Sequence, residues 1–331
     1  MKRLLTLLVL LVIVVGINMM IASAPDESSV IEEKPLLGQL LENAEQLTSI
    51  RIETVNGIAL EASLKGQQWQ AEHLDEQDDF PVDEAALREL VSELASAKVV
   101  EDKSSNPDNF ARLGLAALSS PESAATKVTL QTPGKQWSLL LGTVSAQGTG
   151  QFVRLPSENQ TYLSDTRFSL PTAQSDWLVN PALSLDSLDI LSINAQGPVN
   201  WRIKREGDAQ EWMLENLQDN QKLAFQDVLA DLGQEFAQIN FENVLNRNAT
   251  QLAWLTDSPF ARFTLELADN VIMLNLYRQE GTESAWLTID SQNPIWQSKW
   301  AYQLSQFEQN KLLVTRDSLI QSPGEDAPAN P

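Results

Sequence analysis

Apolar and polar residues alternate in two stretches of the chain that resemble each other. The first stretch opens at Ile50-Arg51-Ile52 and the second at Leu191-Ser192-Ile193. Each then passes a glycine (Gly57 or Gly197) before reaching a tryptophan. Alternation with a period of two is typical of half-buried β-strands joined in hairpins. The sequence therefore predicts that each stretch begins with antiparallel strands.

Each stretch continues with a pattern that predicts one amphipathic helix. In the first, apolar residues recur at i, i+3, i+4 and i+7 from Leu87 to Leu94, and Asp83 is placed to cap the helix. In the second, the same spacing runs from Phe225 through Val228, Leu229 and Leu232, and Phe236 and Ile239 extend the apolar stripe. One helix per stretch is therefore expected to pack on the strands.

Further strands are predicted after each helix, at residues 128–130, 137–141, 152–155, 161–163, 263–267, 271–276 and 285–289. The offset between matching positions is 141 for Ile52 and Ile193, and 143 for Trp69 and Trp212. For Leu87 and Phe225 it is 138. This regularity indicates a duplicated unit. The predicted fold class is α+β, with two duplicated modules at residues 48–183 and 184–315, each an antiparallel sheet with one packed helix.

A long apolar segment at residues 4–22 precedes both modules. At about 1.5 Å per residue a helix of this segment is about 28 Å long, which matches the hydrocarbon core of a bilayer. Lys2 and Arg3 lie before the segment and acidic residues follow it. The positive-inside rule then predicts a single-pass protein of the bacterial inner membrane, with a cytoplasmic N-terminus and the bulk of the chain in the periplasm. Residues 1–24 are the predicted anchor.

Ala22-Ser23-Ala24 resembles a signal-peptidase site, so a cleaved signal peptide is the competing interpretation. The apolar segment is longer than an ordinary signal sequence, and Pro25 would follow the scissile bond. Both features favour a retained anchor. Residues 25–47 are then a tether with a short docking helix, and residues 316–331 are a disordered tail.

Composition excludes several kinds of chemistry. Asp and Glu number 45 against 23 Lys and Arg, a formal charge of −22, which disfavours nucleic-acid binding. The chain has no cysteine and a single histidine, His73, so thiol catalysis, disulfides and zinc sites with cysteine ligands are excluded. We expect no cofactor and no catalytic residue.

Two groups of residues are candidate sites. An acidic run is the best metal candidate, but it lacks the spacing of a calcium loop, and a solvated loop is the preferred interpretation; it comprises His73, Asp75, Glu76, Asp78 and Asp79. The other group has helical spacing; core packing is the preferred interpretation, and a partner-docking face is the alternative. It comprises Trp296, Trp300, Leu304 and Phe307.

A family resemblance rests on the order of several short motifs. These include Phe80-Pro81 before the helix, Asn106-Pro107 followed by Phe110, Leu113-Gly114-Leu115, Leu141-Gly142, Phe152-Val153-Arg154 and Asp176-Trp177-Leu178. The order resembles the bacterial family known as domain of unknown function 4340, over about residues 35–183 and less closely to about residue 315. In the second stretch Ala253-Trp254-Leu255 replaces the Leu-Gly-Leu motif.

The resemblance implies a membrane-anchored envelope protein that works with a gliding-type ABC transporter, and it carries over no catalytic residue. We therefore expect a non-catalytic accessory or scaffold subunit whose partners are the bilayer, through residues 4–22, and transporter permease or gliding-type subunits. A module that binds a glycan, peptide or lipid for the transporter is the second hypothesis. A hydrolase using paired carboxylates is the third.

Overall fold

The structure is a computed structural model that describes residues 34–321 except 76–77, 147, 172, 207–210, 257, 280 and 294. The predicted anchor at residues 4–22 and the chain beyond Gln321 lie outside the described residues. Within the described part of the chain, no helix is both long enough and apolar enough to cross a bilayer. The fold is mostly β-sheet, with three antiparallel sheets and a few helices.

Ten strands of the N-terminal half form the first sheet, in the order β1-β6-β10-β9-β8-β7-β2-β3-β4-β5. Their bounds are β1 (Lys34–Pro35), β2 (Ser49–Thr54), β3 (Gly57–Lys65), β4 (Gln68–Ala71), β5 (Phe80–Pro81), β6 (Lys98–Asp102), β7 (Thr126–Gln131), β8 (Gln136–Val144), β9 (Gln151–Arg154) and β10 (Thr161–Ser164). The helices of this half are α1 (Leu40–Asn43) and α2 (Glu84–Ser96).

Eight strands of the C-terminal half form the second sheet, in the order β14-β13-β12-β17-β18-β19-β20-β16, and β11 pairs with β15 separately. Their bounds are β11 (Leu183–Ser184), β12 (Ile190–Gln196), β13 (Trp201–Glu206), β14 (Glu211–Leu214), β15 (Gln238–Ile239), β16 (Asn243–Asn246), β17 (Ala261–Leu267), β18 (Val271–Arg278), β19 (Ala285–Ser291) and β20 (Trp300–Leu304). The helices are α3 (Val228–Ala237) and α4 (Gln306–Leu312).

The alternating pattern sets the faces of each sheet as predicted. In the first sheet Ile50 pairs with Leu130 and Ile52 with Val128, and all four are buried. Arg51, between them, points to the opposite face and is partly exposed. Because successive side chains of a strand alternate between faces, one face of the sheet collects the apolar residues and receives α2.

Helix α2 begins where the sequence predicts. The Asp83 carboxylate accepts hydrogen bonds from the backbone N–H groups of Ala85 (2.8 Å) and Ala86 (3.4 Å), as expected of an N-cap. Leu87, Leu90 and Leu94 are buried against the sheet.

The prediction for the second helix was displaced. Helix α3 begins at Val228, so Phe225 lies before it and is 55% exposed, while Ile239 belongs to β15. Aligned by burial, Leu229, Leu232 and Phe236 match Leu87, Leu90 and Leu94, each pair 142 positions apart. The apolar spacing continues before Val228, so the sequence pattern placed the start of the helix one turn too early. A helical period alone does not identify the first residue of a helix.

The fold also extends beyond the predicted limits at both ends. In the region predicted as a tether, Lys34 pairs with Val99, and Leu36, Leu37 and Leu40 are buried in the first half. In the region predicted as a tail, Leu319 is buried and Ile320 forms a β-bridge with Leu223. Short apolar patches beside prolines and acids looked too small to fold alone, but they complete a core that other elements supply.

The two large sheets share one strand order. Reading β4-β3-β2-β7-β8-β9-β10-β6 in the first sheet and β14-β13-β12-β17-β18-β19-β20-β16 in the second gives the same path through the sheet. In both halves a helix follows the three-stranded opening, and the next strand crosses to the far edge. One continuous cluster of buried apolar side chains runs through both halves.

Candidate functional site

An aromatic cluster joins the two halves. Phe80, at the edge of the first sheet, is fully buried among rings of the second half. Its ring centroid lies 5.0 Å from Trp296, 5.1 Å from Trp300 and 6.0 Å from Phe241, all in edge-to-face geometry. Edge-to-face pairs place the positive edge of one ring on the negative face of the next, so they add to apolar burial. We call this set the junction cluster.

The structure separates the residues predicted as a partner-docking stripe. Trp296 lies in a short 3-10 helix and Trp300 opens β20, and both contact Phe80 in the junction cluster. Phe307 is on α4, is 68% exposed and lies under the Lys311 ammonium. The predicted helical stripe is therefore wrong, because residues 300–304 are a strand. Trp300 is fully buried and Trp296 is partly buried, as core packing predicts for them, and Phe307 is the most exposed of the three.

The acidic run from His73 to Asp79 is divided among different partners. Asp78 is bound by the Lys299 ammonium and by the Asn246 amide (3.0 Å), both from the second half. The hydrogen bond from Lys299, helped by Asn246, lowers the pKa of Asp78 below its usual value. Asp79 instead pairs with Lys65. Among the described residues, no group of three or more His, Cys, Asp or Glu side chains is arranged to hold a metal ion.

His73 is partly buried and hydrogen-bonds the backbone of β3. Its Nδ1 accepts the backbone N–H of Glu61 at 3.2 Å, which fits the neutral ring. Burial lowers the pKa of His73 below its usual value, because a charged imidazolium would lose its hydration there.

The Leu-Gly-Leu segment covers the face of the first sheet opposite α2. Leu115 packs there with Leu140, and Arg154 lies beneath the segment. The Arg154 guanidinium stacks on Phe110 (4.3 Å) and donates to the carbonyls of Glu158 (2.9 Å) and Leu115 (3.3 Å). Burial lowers the pKa of Arg154. The segment is thus a packed connector held by a buried arginine, which the motif order alone did not reveal.

The two matching tryptophans lie in different surroundings. In the first half, a cleft of about 360 Å³ opens between α2 and β4 and is lined by Trp69, Leu87 and Val91. In the second half, Gly233 of α3 takes the position of Val91, and the Trp212 indole packs directly on it. A larger cleft, of about 690 Å³, lies along the outer edge of β14 and is also lined by Trp212.

This larger cleft brings a strand edge and side chains together. Its walls are β14 on one side and the segment containing Gln221 and Leu223 on the other. Leu214 and Leu217 supply apolar surface, and acidic residues border it. Sequence reasoning did not find it, because it depends on which neighbour a strand edge meets. The sequence signal for this cleft is that the Phe80-Pro81 motif before α2, which forms β5, has no counterpart before α3.

The comparisons with known proteins give a family and no close relative. A family model described as a domain of unknown function (DUF4340) matches residues 69–257, more than half of the chain. The family resemblance seen in the motif order is confirmed. No curated protein and no solved structure matches the chain.

Proposed function

The chain belongs to the DUF4340 family, a domain of unknown function, and from this premise we propose that it is a non-catalytic, membrane-anchored scaffold subunit of an envelope complex. The observation that carries the proposal is the junction cluster around Phe80. It fixes two large sheets to each other through a continuous core. A body of this kind presents its surfaces at a fixed spacing, which suits a protein that positions partners.

The shared strand order supports a duplicated origin for the two halves. We infer two modules of the same α+β design, the first ending near residue 183. Duplication accounts for the matching positions of Trp69 and Trp212, and for the helix residues 142 positions apart. The differences between the modules are then the places where one copy has acquired a separate role.

The proposed anchor at residues 4–22 would keep this body close to a bilayer. Only residues 23–33 separate the apolar segment from Lys34, which already pairs with β6. Eleven residues span at most about 40 Å when fully extended. With its N-terminus in the cytoplasm, the chain would hold both modules just outside the inner membrane, in reach of a transporter.

Partner identity follows from the family resemblance, and we propose a gliding-type ABC transporter permease or its associated subunits. The test is purification of the tagged full-length protein from membranes in mild detergent, followed by mass spectrometry. Transporter subunits should be enriched over an unrelated single-pass protein of similar abundance. A matched control carries residues 25–331 behind a cleavable signal peptide, and it should lose most of the enrichment. Recovery of no transporter subunit with the anchored chain would refute the proposed partner.

A second candidate function, capture of a small ligand for the transporter, is favoured by the cleft of about 360 Å³ beside Trp69. An indole, an arginine and two glutamates, Glu45 and Glu84, border this cleft, so a sugar or a short peptide would find both stacking and polar contacts there. Titration with glycans or peptides should then change Trp69 fluorescence, and Trp69→Phe should abolish the change. If the fluorescence does not change, ligand capture at this cleft is refuted and the scaffold function is favoured.

A further inference from the structure

The two modules differ at one sheet edge. In the first module β4 is covered by β5, with Ala71 opposite Phe80 and Gln70 opposite Pro81. The Val82 N–H also donates to the Trp69 carbonyl at 3.0 Å. The segment before α2 therefore closes the edge of the first sheet.

The corresponding segment of the second module repeats the bonds to its outer neighbour, but among the described residues it does not pair with the sheet edge. In the first module, the Asp83 N–H donates to Trp177 and the Val179 N–H donates to Pro81. The second module repeats both bonds, from Ala224 to Leu319 and from Gln321 to Lys222. The segment thus holds its outer neighbour as in the first module. Among the described residues, however, β14 pairs with β13 alone and stands at the end of its sheet.

The unpaired groups of β14 can be assigned from its ladder with β13. Glu215 N–H donates to the Arg202 carbonyl at 2.9 Å, so Glu215, Met213 and Glu211 direct their backbone groups toward β13. Trp212 and Leu214 must then direct their N–H and C=O groups outward. In the first module the matching residues of β4 are Trp69 and Ala71. Ala71 pairs with Phe80 of β5, and the Trp69 carbonyl accepts from the Val82 N–H that follows β5.

The space between β14 and the segment at Gln221 is the cleft of about 690 Å³. We propose that this slot binds an extended segment of a partner protein, which adds to β14 as a further antiparallel or parallel strand. The proposal rests on the scaffold function and names its docking surface. Exposed strand edges pair readily with added strands, and the first module shows the same position filled.

The side chains of the slot define what the bound segment should look like. On the helix side the slot is lined by Leu223, by Leu214, which is buried, and by Trp212, on whose ring the Arg205 guanidinium stacks. On the opposite face of β14, Glu211 and Glu215 flank Met213, which is 49% exposed. Because strand side chains alternate between faces, the partner segment should alternate apolar and basic residues.

Charge also argues against the chain's own C-terminal residues as the occupant. Residues 322–331 contain Glu325 and Asp326, no Lys or Arg, and prolines at 323, 328 and 331. Glu206, Glu215 and Asp219 line the slot with a single lysine, Lys204, and Glu211 lies beside Met213 on β14. Lys204 is within 4.0 Å of both Glu206 and Glu215, and Arg202 is 3.9 Å from Glu215, so Asp219 and Glu211 are the acids left for a basic partner. An acidic, proline-rich segment would be repelled and would lack backbone donors. A basic partner segment meets both requirements.

The test uses the full-length protein in non-ionic detergent and a synthetic probe, acetyl-Lys-Val-Lys-Phe-Lys-Val-Lys-amide. Binding should protect the amides of Trp212 and Leu214 from hydrogen exchange. The exposed rim variant Glu211→Lys/Asp219→Lys should weaken binding about tenfold at low salt. The control Glu89→Lys, on the exposed face of α2, should leave binding unchanged.

Backbone pairing is tested separately with two probes N-methylated at alternate residues, one in each register. One register removes the donors that face β14 and should lose at least about tenfold in affinity, a loss of about 1.4 kcal/mol; the other should bind like the parent probe. Equal binding of both, or no binding of the parent probe at millimolar concentration, would overturn the proposal.

The same exchange measurement identifies other occupants. If Trp212 and Leu214 are protected without the probe and a chain ending at Gln321 loses that protection, the C-terminal residues fill the slot and the proposal is wrong. Protection that rises with protein concentration would point to a second copy and would also overturn it. Probe binding without co-purified transporter subunits would instead refute the scaffold partner while leaving the slot intact.

Discussion

The junction cluster makes a quantitative prediction for Phe80→Ala. Phe80 is fully buried, and it is the ring that the first half inserts among Phe241, Trp296, Trp300 and Tyr302 of the second. Removing a buried phenylalanine ring costs about 3–5 kcal/mol, from lost apolar burial and the cavity left behind. The two closest ring contacts are each worth about 0.5–1.5 kcal/mol, so we expect a loss in the upper half of that range.

The assay is urea denaturation of the full-length protein in detergent, followed by tryptophan fluorescence and by hydrogen exchange. The loss should appear as a lower unfolding midpoint. Exchange should rise first at the amides whose hydrogen bonds cross the junction, such as the Ala182 N–H to the Ile239 carbonyl and the Phe241 N–H to the Asn180 side chain. Amides in the middle of each sheet should respond less, because their ladders do not depend on the junction.

Phe307→Ala is the matched control. It removes the same ring from a side chain that is 68% exposed, so its effect should stay within about 0.5 kcal/mol. A loss below about 1 kcal/mol for Phe80→Ala, or equal losses for the two variants, would show that the junction does not hold the halves together. The two sheets would then lack a fixed spacing, and the proposed scaffold function would be refuted.

Three further predictions follow from single sites. Gly233→Val should displace the Trp212 indole, which lies 2.9 Å from the added Cβ, lowering stability by about 1–3 kcal/mol and shifting tryptophan emission. Arg154→Ala should cost about 2–4 kcal/mol in a urea titration, through two unpaired carbonyls and the lost stack on Phe110, and Arg154→Lys should not restore it. Burial lowers the pKa of His73, so the unfolded chain binds a proton at this residue more readily than the folded chain. The contribution of the neutral His73 to the free energy of unfolding should be fully present above the usual pKa of 6.5 and should be lost as the pH falls through the lower pKa of the folded state. Urea midpoints measured from pH 7.5 to 5 should show this slope, and His73→Asn should remove it.

The division of the acidic run shows how tertiary contacts assign residues that look equivalent along the chain. Asp78 and Asp79 are neighbours in the chain, but their carboxylates form ion pairs with different lysines. One reaches Lys299 in the second half and the other reaches Lys65 in the first. A metal site would need them to converge. Asp78, two residues before Phe80, is thus the residue of the run that contacts the second half through Lys299 and Asn246.

Local patterns were sufficient for much of the fold. The strand alternation around Ile50 and Ile193, the Asp83 cap and the apolar stripe of α2 all depend on residues a few positions apart, and each appears in the structure. The family motif order was equally readable. The stripe from Trp296 to Phe307 misled because its spacing is also compatible with a 3-10 turn, a strand and a short helix in succession.

Sequence by itself determined which residues are apolar on one face, where one helix starts, the family and the absence of cysteine chemistry. It could not determine that Phe80 crosses to the second half, that Arg154 lies beneath the Leu-Gly-Leu segment, or that β14, in the part of the chain that the structure describes, lacks the neighbour that β4 has. These features depend on contacts between residues far apart in the chain. Periodicity reports only which face of an element is buried, and the packed core decides which partner that face, or that strand edge, will meet.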